Sequence, residues 1–558
     1  MCWIRWIYGQ DDRKKLLEQS FYKIQSRWPD YSIMQKIWTH IMWFHRLAIM
    51  DLSPAWHQPF ELETDDEYIY WTCNWEIYNH KELESELRCT AEEYDLSTKL
   101  KSHSDCECIW YIYSQIWFEN MIKKLDWEFA ISMIVVDKKT WLDKLYLGRD
   151  SYGVRPLFVW YGGDNIYRCS EMKWLVDICS DIKPFVPWSR SEYSDNIPQF
   201  HAGQVYQSHK YFLDNRDFLT SIHDESTALV KIKDDLYDAV AKRLVSDRPL
   251  GCLLSGWLDS SLVCGIAAKL SNQPIHTFTI GLEWWSDIVY AESVAKYIWS
   301  HHTTFVVTIE EALEAIDHVI YQIETWDTTT IRASVWQYLI GQRISTQTDI
   351  KVILTGEWSD EMSGGYMYFH NAPSAKEFDA ECHRLLEDIY MYDGLRVDRS
   401  MATHGLEVRI PLLDAQLTKT YLSIDPTLRM PKTYGIEKYL LRKAFEEDAI
   451  IPSEVLWRKK EAFSDGVSQQ TKSWFEIIQD KIDTIISDEE FANFIDNVNS
   501  LTWSSNCKPD TKEKYYYYKR FVEYFGEGNL WVINYYRMPK WSWNTKDPSA
   551  RVLDVYKK

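Results

Sequence analysis

Over the first ~180 residues apolar and polar positions alternate in short runs, the period expected of half-buried strands. YIYWTCN and WEFAISMIVVD carry this pattern, and the clusters DDRKK and DKKT separate such runs as turns. The stretch reads as β-rich with occasional helices. From Asp181 to Gly203 proline and serine accumulate without a sustained period, so a domain junction falls there. The predicted divisions are a first domain over 2–185, a linker over 186–225 and a second domain over 226–545. From Thr227 onward the pattern becomes strand, loop and helix in repetition. PLGCLLSG, PIHTFTIG, TTFVVTI and IKVILTGE read as strands, and DSSLVCGIAAKL, AESVAKYIW and EEALEAIDHVIYQIE as helices. That alternation predicts a doubly wound parallel α/β sheet, whose ligands bind beyond the carboxyl ends of the strands. LLSGWLDSS and ILTGEWSDE lie at two such ends. The remainder reads as mostly helical, then aromatic and irregular through KEKYYYYKRFVEYF and YYRMPKWSWN.

Composition narrows the function classes. The 558 residues are 46% hydrophobic and 26% charged, a globular balance with room for two to four domains. Acidic side chains number 83 against 62 basic ones, and the formal net charge of −21 opposes a nucleic-acid or anionic-membrane partner. Eleven scattered cysteines, an odd number, favour reduced thiols over a disulfide framework. MCWIRWIYGQDD lacks the apolar core of a secretory signal, and no run reaches the roughly 20 apolar residues of a spanning helix. The expectation is a soluble, cytoplasmic protein. The 28 tryptophans outnumber the 20 glycines, an inversion of ordinary usage.

Cys2 follows the initiator methionine. With Met1 removed, its thiol would lie beside its own α-amino group, whose pKa of about 7.7–8.0 suits a general base. A cysteine at position two is commonly incidental. Its companions supply more: Arg46 in FHRLAIMD is a cation for a carboxylate, Asn74 in NWEIYNH an amide donor for an oxyanion, and Glu76 and Asp105 are acids for an α-ammonium group. Amidohydrolysis of free glutamine needs that inventory. In the second domain SGWLDSS, Ser255 to Ser261, stands between a strand and a helix, where backbone N–H groups and hydroxyls cradle phosphate. It is not a Walker A motif. Asp259 is a carboxylate of the kind magnesium takes beside substrate phosphates. The plainer alternative is a serine-rich helix cap.

Taken in order, these segments with GRDSYGVRPLF, CSEMKWL, TWDTTTIRAS, GEWSDEMSGGY, HGLEVRIPLLD, WRKKEAFSDG and MPKWSWNTKDPSAR resemble the glutamine-hydrolysing asparagine synthetases, the eukaryotic branch in particular. The resemblance covers essentially the whole chain. It implies an N-terminal αββα glutaminase sandwich followed by an adenylating α/β domain that converts aspartate, ATP and glutamine to asparagine, AMP, pyrophosphate and glutamate through β-aspartyl-AMP. The roles it implies are as follows. Cys2 attacks the glutamine amide, Asn74 and the backbone N–H of Trp75 form the oxyanion hole, and Arg46, Leu47, Ala48, Ile49, Met50, Glu76 and Asp105 hold the substrate. ATP is bound by Leu254, Ser255, Gly256, Asp259, Ser260, Ser261, Ile280, Thr355 and Gly356, and Mg2+ by Asp259 and Asp360. Glu357 assists ammonia attack, and Arg332 and Lys460 neutralise phosphate charge. An internal ammonia channel and a homodimer are further implications.

Tryptophan stands where the family's pattern has glycine at Trp3, Trp28, Trp75, Trp127, Trp188, Trp257, Trp299 and Trp358. Glycine serves positive φ or close backbone approach, and an indole suits neither. Ser26 and Asn371 depart from a histidine and a lysine. Two readings follow: a working synthetase whose loops accommodate the indoles, or a pseudoenzyme that keeps the fold. A third, a protein binding carbohydrate or single strands through exposed aromatics, predicts tryptophan interleaved with lysine and arginine, which these loops do not show.

Overall fold

The computed structural model describes residues 2–8, 19–20, 23, 29–38, 40–90, 105–107, 109–162, 165–187, 189–194, 209–210, 220–283, 285–459, 472–498, 507–542 and 546–549. They fall into two units, one of 1–217 with 246–248 and one of 218–245 with 249–558.

In the first unit the alternating runs become strands β1 (Cys2–Tyr8), β2 (Tyr31–Ile37), β3 (His40–Arg46), β4 (Phe60–Glu63), β5 (Glu67–Ile77), β6 (Trp127–Asp137), β7 (Asp143–Arg149), β8 (Phe158–Gly162), β9 (Asn165–Cys169), β10 (Lys183–Pro184), β11 (Ser189–Ser194) and β12 (His209–Lys210). They form two six-stranded antiparallel sheets, ordered β10-β8-β9-β1-β3-β2 and β12-β11-β7-β6-β5-β4. Period-two alternation decides what each side chain meets. On β6, Ser132 accepts a hydrogen bond from Arg168 Nε of the other sheet at 2.7 Å. Helix Ile109–Lys124 covers the second sheet, and its Phe118 stacks on Tyr146 of β7 with centroids 5.1 Å apart. Met42, Phe44 and Ile166 of one sheet and Trp71, Ile131 and Met133 of the other belong to one buried core with Ile112 and Met121 of that helix. The DKKT turn closes β6 to β7 as Asp137 Oδ1 accepts the N–H groups of Lys139 and Thr140.

The second unit holds β13 (Leu250–Leu253), β14 (His276–Gly281), β15 (His301–Val306), β16 (Val352–Leu354) and β17 (Glu407–Arg409). All pairs are parallel, in the order β15-β14-β13-β16-β17. The order reverses between β13 and β16, where a doubly wound sheet opens its ligand crevice. Helices Leu258–Leu270, Ser286–Tyr297, Ile309–Ile323 and Thr328–Gln347 connect the strands. Ile309–Ile323 begins at a capping box of Thr308 and Glu311 and buries Ala312, Ala315, Ile316, Val319, Ile320 and Ile323, the stripe its sequence period predicts.

Two expectations are corrected. The stretch read as linker contains β11, hydrogen-bonded to β7 from Arg190↔Gly148 to Ser194↔Lys144. Its serines and lone tyrosine hide a strand that is held by backbone pairing to a neighbour. KEKYYYYKRFVEYF, read as irregular, is helix Lys512–Phe525, capped by Thr511 and burying Tyr517, Tyr518, Phe521 and Phe525. Consecutive tyrosines conceal the helical period because each one is amphipathic. Cys73, Cys106, Cys169, Cys179, Cys252, Cys264, Cys382 and Cys507 are buried and form no disulfide. No helix among the described residues is long and apolar enough to cross a membrane.

Candidate functional site

In the first unit Cys2 opens β1 directly opposite Arg46 at the end of β3. Asn74, Trp75 and Glu76 lie near the end of β5, opposite Ala130, Phe129 and Glu128 of β6. Asn74 is fully buried and Glu76 nearly so. Asp105 is tied to the same strand end, its Oδ2 accepting the Ile77 N–H at 2.7 Å, and burial raises its pKa above the usual carboxylate range. The Arg46 guanidinium is buried and donates to the carbonyls of Ser53 at 2.8 Å, Met50 at 3.4 Å and Asp51, so it closes the 47–53 loop on itself. Within that loop Leu47, Ala48 and Ile49 are buried and Met50 is half-buried. Its backbone is held by Asp30, which accepts from the Ala48 N–H at 2.8 Å, and by Arg248, which donates to the Ala48 carbonyl at 2.9 Å. The GRDSYGVRPLF segment is a scaffold: Asp150 accepts the N–H groups of Phe129, Tyr152, Val154 and Arg155.

In the second unit a cavity of about 270 Å³ opens at the carboxyl edge of the sheet, at the reversal of strand order. Leu254 and Ser255 line it from the loop after β13, Asp259 and Ser260 from the first turn of helix Leu258–Leu270, Ile280 from β14, and Thr355, Gly356, Glu357 and Asp360 from the segment after β16. Gly256 and Ser261 are buried and are not among the lining residues. Gly256 carries φ +75, and Ser261 is buried in the first helical turn. Ser255 and Ser260 bind each other, the Ser255 N–H donating to Ser260 Oγ at 3.1 Å with the two hydroxyls 2.9 Å apart. A Cβ on Gly356 would collide with the Ser260 backbone, so glycine alone lets the β16 loop touch the helix start.

The acids are held by specific partners. Glu357 accepts from Gln337 Nε2 at 2.8 Å and from Arg396 Nη2 at 2.7 Å. Lys438 joins Asp259 and Asp360: its Nζ lies 2.5 Å from a carboxylate oxygen of each. Burial works to lower the Lys438 pKa, but the two carboxylates outweigh it and hold it above the ordinary lysine value. Arg332 lines the cavity with its guanidinium clasped by Glu513 at 2.5–2.7 Å and Asp547 at 2.7–3.0 Å, so its charge is compensated twice over. Lys460 lies outside the described residues. Sequence reasoning passed over Lys438, Arg396 and Gln337. It also passed over Arg458, whose signal was its place two residues before Lys460 in a quoted motif.

The indoles are accommodated in different ways. Trp257 has φ −95 and ψ 162, ordinary extended backbone at the start of its helix. Its Nε1 donates to Asp287 at 2.9 Å, and the Arg458 guanidinium lies 3.4 Å from its ring centre. Trp3, Trp75 and Trp127 occupy regular ladder positions in β1, β5 and β6. Trp299 and Trp358 hold φ of 57 and 75, the left-handed region where glycine is easier. Trp28 and Trp188 lie outside the described residues. Trp43, Trp71, Trp174, Trp326, Trp336 and Trp474 are fully buried, which places much of the aromatic content in cores rather than on a binding surface.

A two-sheet sandwich that opens on a cysteine-bearing strand, continued in one chain by a parallel sheet with a serine loop at its switch point, fits a glutamine amidotransferase domain joined to a synthetase domain. Residues 1–188 match the glutamine amidotransferase domain family, and residues 231–380 and 370–544 match the asparagine synthase family. Asparagine synthetase [glutamine-hydrolyzing] of Cricetulus griseus is 40% identical over 584 aligned positions, covering 100% of this chain and 99% of the relative. The Homo sapiens protein of the same name is 39% identical with the same coverage. Among solved structures, the glutamine phosphoribosylpyrophosphate amidotransferase from B. subtilis is 11% identical, covers 64% of this chain and 81% of its own, and superposes with a TM-score of 0.30. The chain belongs to the glutamine-hydrolysing asparagine synthetases.

Proposed function

We propose that this chain makes asparagine from aspartate in the cytoplasm, as a homodimer, with glutamine as nitrogen donor and ATP with Mg2+ as the activating pair. The observation that carries the reading is the meeting of Asp259, Glu357 and Asp360 in one cavity at the strand-order reversal. In the first unit the Cys2 thiol, deprotonated by its own α-amino group, attacks the glutamine amide carbon. Asn74 and the Trp75 N–H receive the developing oxyanion. Its collapse breaks the C–N bond as the α-ammonium returns its proton, releasing ammonia and leaving a thioester. A second oxyanion follows when water adds to that thioester and expels the Cys2 sulfur to release glutamate. Glu76 and Asp105 face the substrate ammonium, and Arg46 with the 47–50 loop shapes the pocket for its carboxylate.

In the second unit Leu254 and Ile280 supply apolar walls, and Ser255, Ser260, Ser261 and Gly256 form the phosphate loop with Thr355 and Gly356. The aspartate β-carboxylate attacks the α-phosphorus, forming β-aspartyl-AMP and releasing pyrophosphate. Ammonia then attacks the acyl carbon, and AMP leaves. Arg396 and Gln337 hold Glu357 oriented to take the proton that ammonia loses. Arg332 and Lys460 would face phosphate charge. Asp259 and Asp360 converge on one cationic atom, which is the chemistry of a hard-cation site. They would hold Mg2+, which when bound supplies charge to stabilise the transferring phosphates. Among the described residues no cluster of three or more His, Cys, Asp or Glu could hold a metal ion.

The test is a divided assay. Glutamate should be released from glutamine without ATP, and pyrophosphate should be released only with ATP, Mg2+ and aspartate together. Glu357→Gln should slow asparagine formation by about 10²–10⁴-fold while glutamate release persists. Folded protein that yields neither product would overturn the reading.

A further inference from the structure

The Lys438 ammonium is set between Asp259 and Asp360 by more than a chance contact. Its Nζ also donates to Ser359 Oγ at 2.6 Å, and that hydroxyl donates to Asp259 Oδ1 at 2.6 Å, so both carboxylates and the serine form one closed group. The side chain is 1% exposed, and its residue holds a left-handed φ of 57 just before helix Tyr439–Ala444. A lysine pays for such backbone only where surrounding contacts demand it. Gly365 completes the arrangement: a Cβ there would collide with both the Asp360 carboxylate and the Lys438 stem. Three segments of chain, at 259, 359–365 and 438, thus meet around one buried ammonium.

Charge then decides what else can enter. Two carboxylates and one ammonium sum to −1. A divalent ion arriving alone would take the group to +1, against repulsion from a buried ammonium held at contact distance from both half-buried carboxylates. The same ion arriving with a polyphosphate brings negative charge, and the lysine, a point charge on a flexible stem, can hand its hydrogen bonds from carboxylate to phosphate oxygens. We propose that Lys438 is a tethered counter-cation that closes the Asp259–Asp360 pair to divalent ions alone and admits them only with the nucleotide, making metal and nucleotide binding mutually dependent. This rests on the reading of those two aspartates as the metal ligands.

Equilibrium dialysis of the full chain against Mn2+, with and without a non-hydrolysable ATP analogue, tests it. The protein should retain no saturable Mn2+ without the analogue and one ion with it. Lys438→Met, whose carboxylate pair lacks its counter-cation, should take up one Mn2+ without nucleotide, at least about tenfold more tightly than the parent, and its melting temperature should rise with Mn2+. Should that variant not fold, Lys438→Gln is titrated in its place, and saturable Mn2+ binding by the unaltered protein without the analogue would overturn the proposal in any case. Tight Mn2+ binding by the unaltered protein alone, abolished by Asp360→Asn, would overturn the role of Lys438 and leave the metal ligands standing. Nucleotide-dependent Mn2+ retention that ignores both Asp259→Asn and Asp360→Asn would overturn the two together.

Discussion

At the scale of single residues, two tryptophans in left-handed backbone should respond oppositely to glycine. Trp299 has φ 57 and is 83% exposed, so its indole contributes little packing against a conformational cost of about 1–2 kcal/mol. Trp299→Gly should raise the unfolding free energy by about 1 kcal/mol in urea titration. Trp358 has φ 75 but is 3% exposed and lines the cavity. Removing its buried indole costs roughly 3–5 kcal/mol, more than the strain relieved, so Trp358→Gly should destabilise. His404 offers a test by pH. Burial lowers its pKa from the ordinary 6.5 to about 4. Between those values the unfolded chain binds a proton that the folded chain refuses, so stability rises with pH across that window and is lost as pH falls through it. His404→Phe keeps a ring beside Tyr338, whose centroid lies 4.6 Å away, and should flatten the stability curve over that window relative to the parent.

At the scale of elements, two helix caps separate stability from function. Thr308 caps Ile309–Ile323 through a capping box with Glu311, and neither residue lines the cavity. Thr308→Ala should cost about 1 kcal/mol and leave both half-reactions at parental rates. Asp327 caps Thr328–Gln347, the helix that carries Arg332 and Gln337 into the cavity, and its other oxygen accepts the Arg537 N–H at 3.1 Å. Asp327→Ala should cost a similar amount or more and also reduce pyrophosphate release, because it loosens two walls of the cavity at once. Differential scanning fluorimetry beside the divided assay distinguishes the two outcomes. The parallel strands and their helices were legible in the sequence because short apolar runs ending in small-residue loops alternate with helical segments. Helix Lys512–Phe525 was not, since a run of tyrosines offers apolar surface in every direction.

At the scale of the whole molecule, the two chemistries should separate genetically. Cys2→Ala should abolish glutamate release and leave ammonium-dependent, aspartate-dependent pyrophosphate release intact, measured side by side on one preparation. Loss of both would argue against Cys2 acting only as the glutaminase nucleophile. The sequence by itself determined the family and the order of the two domains, and it named the candidate reacting groups, because motif residues and hydrophobic period are local properties of the chain. Only the tertiary structure decided how those groups are compensated. Arg332 is ion-paired to Glu513 and Asp547, 181 and 215 positions away, and Asp259 to Lys438, 179 positions away. It decided likewise that Trp257 turns its indole to Asp287 and Arg458 with extended backbone. Charge pairing and steric fit depend on distances through space, and those exist only once distant segments have packed against one another.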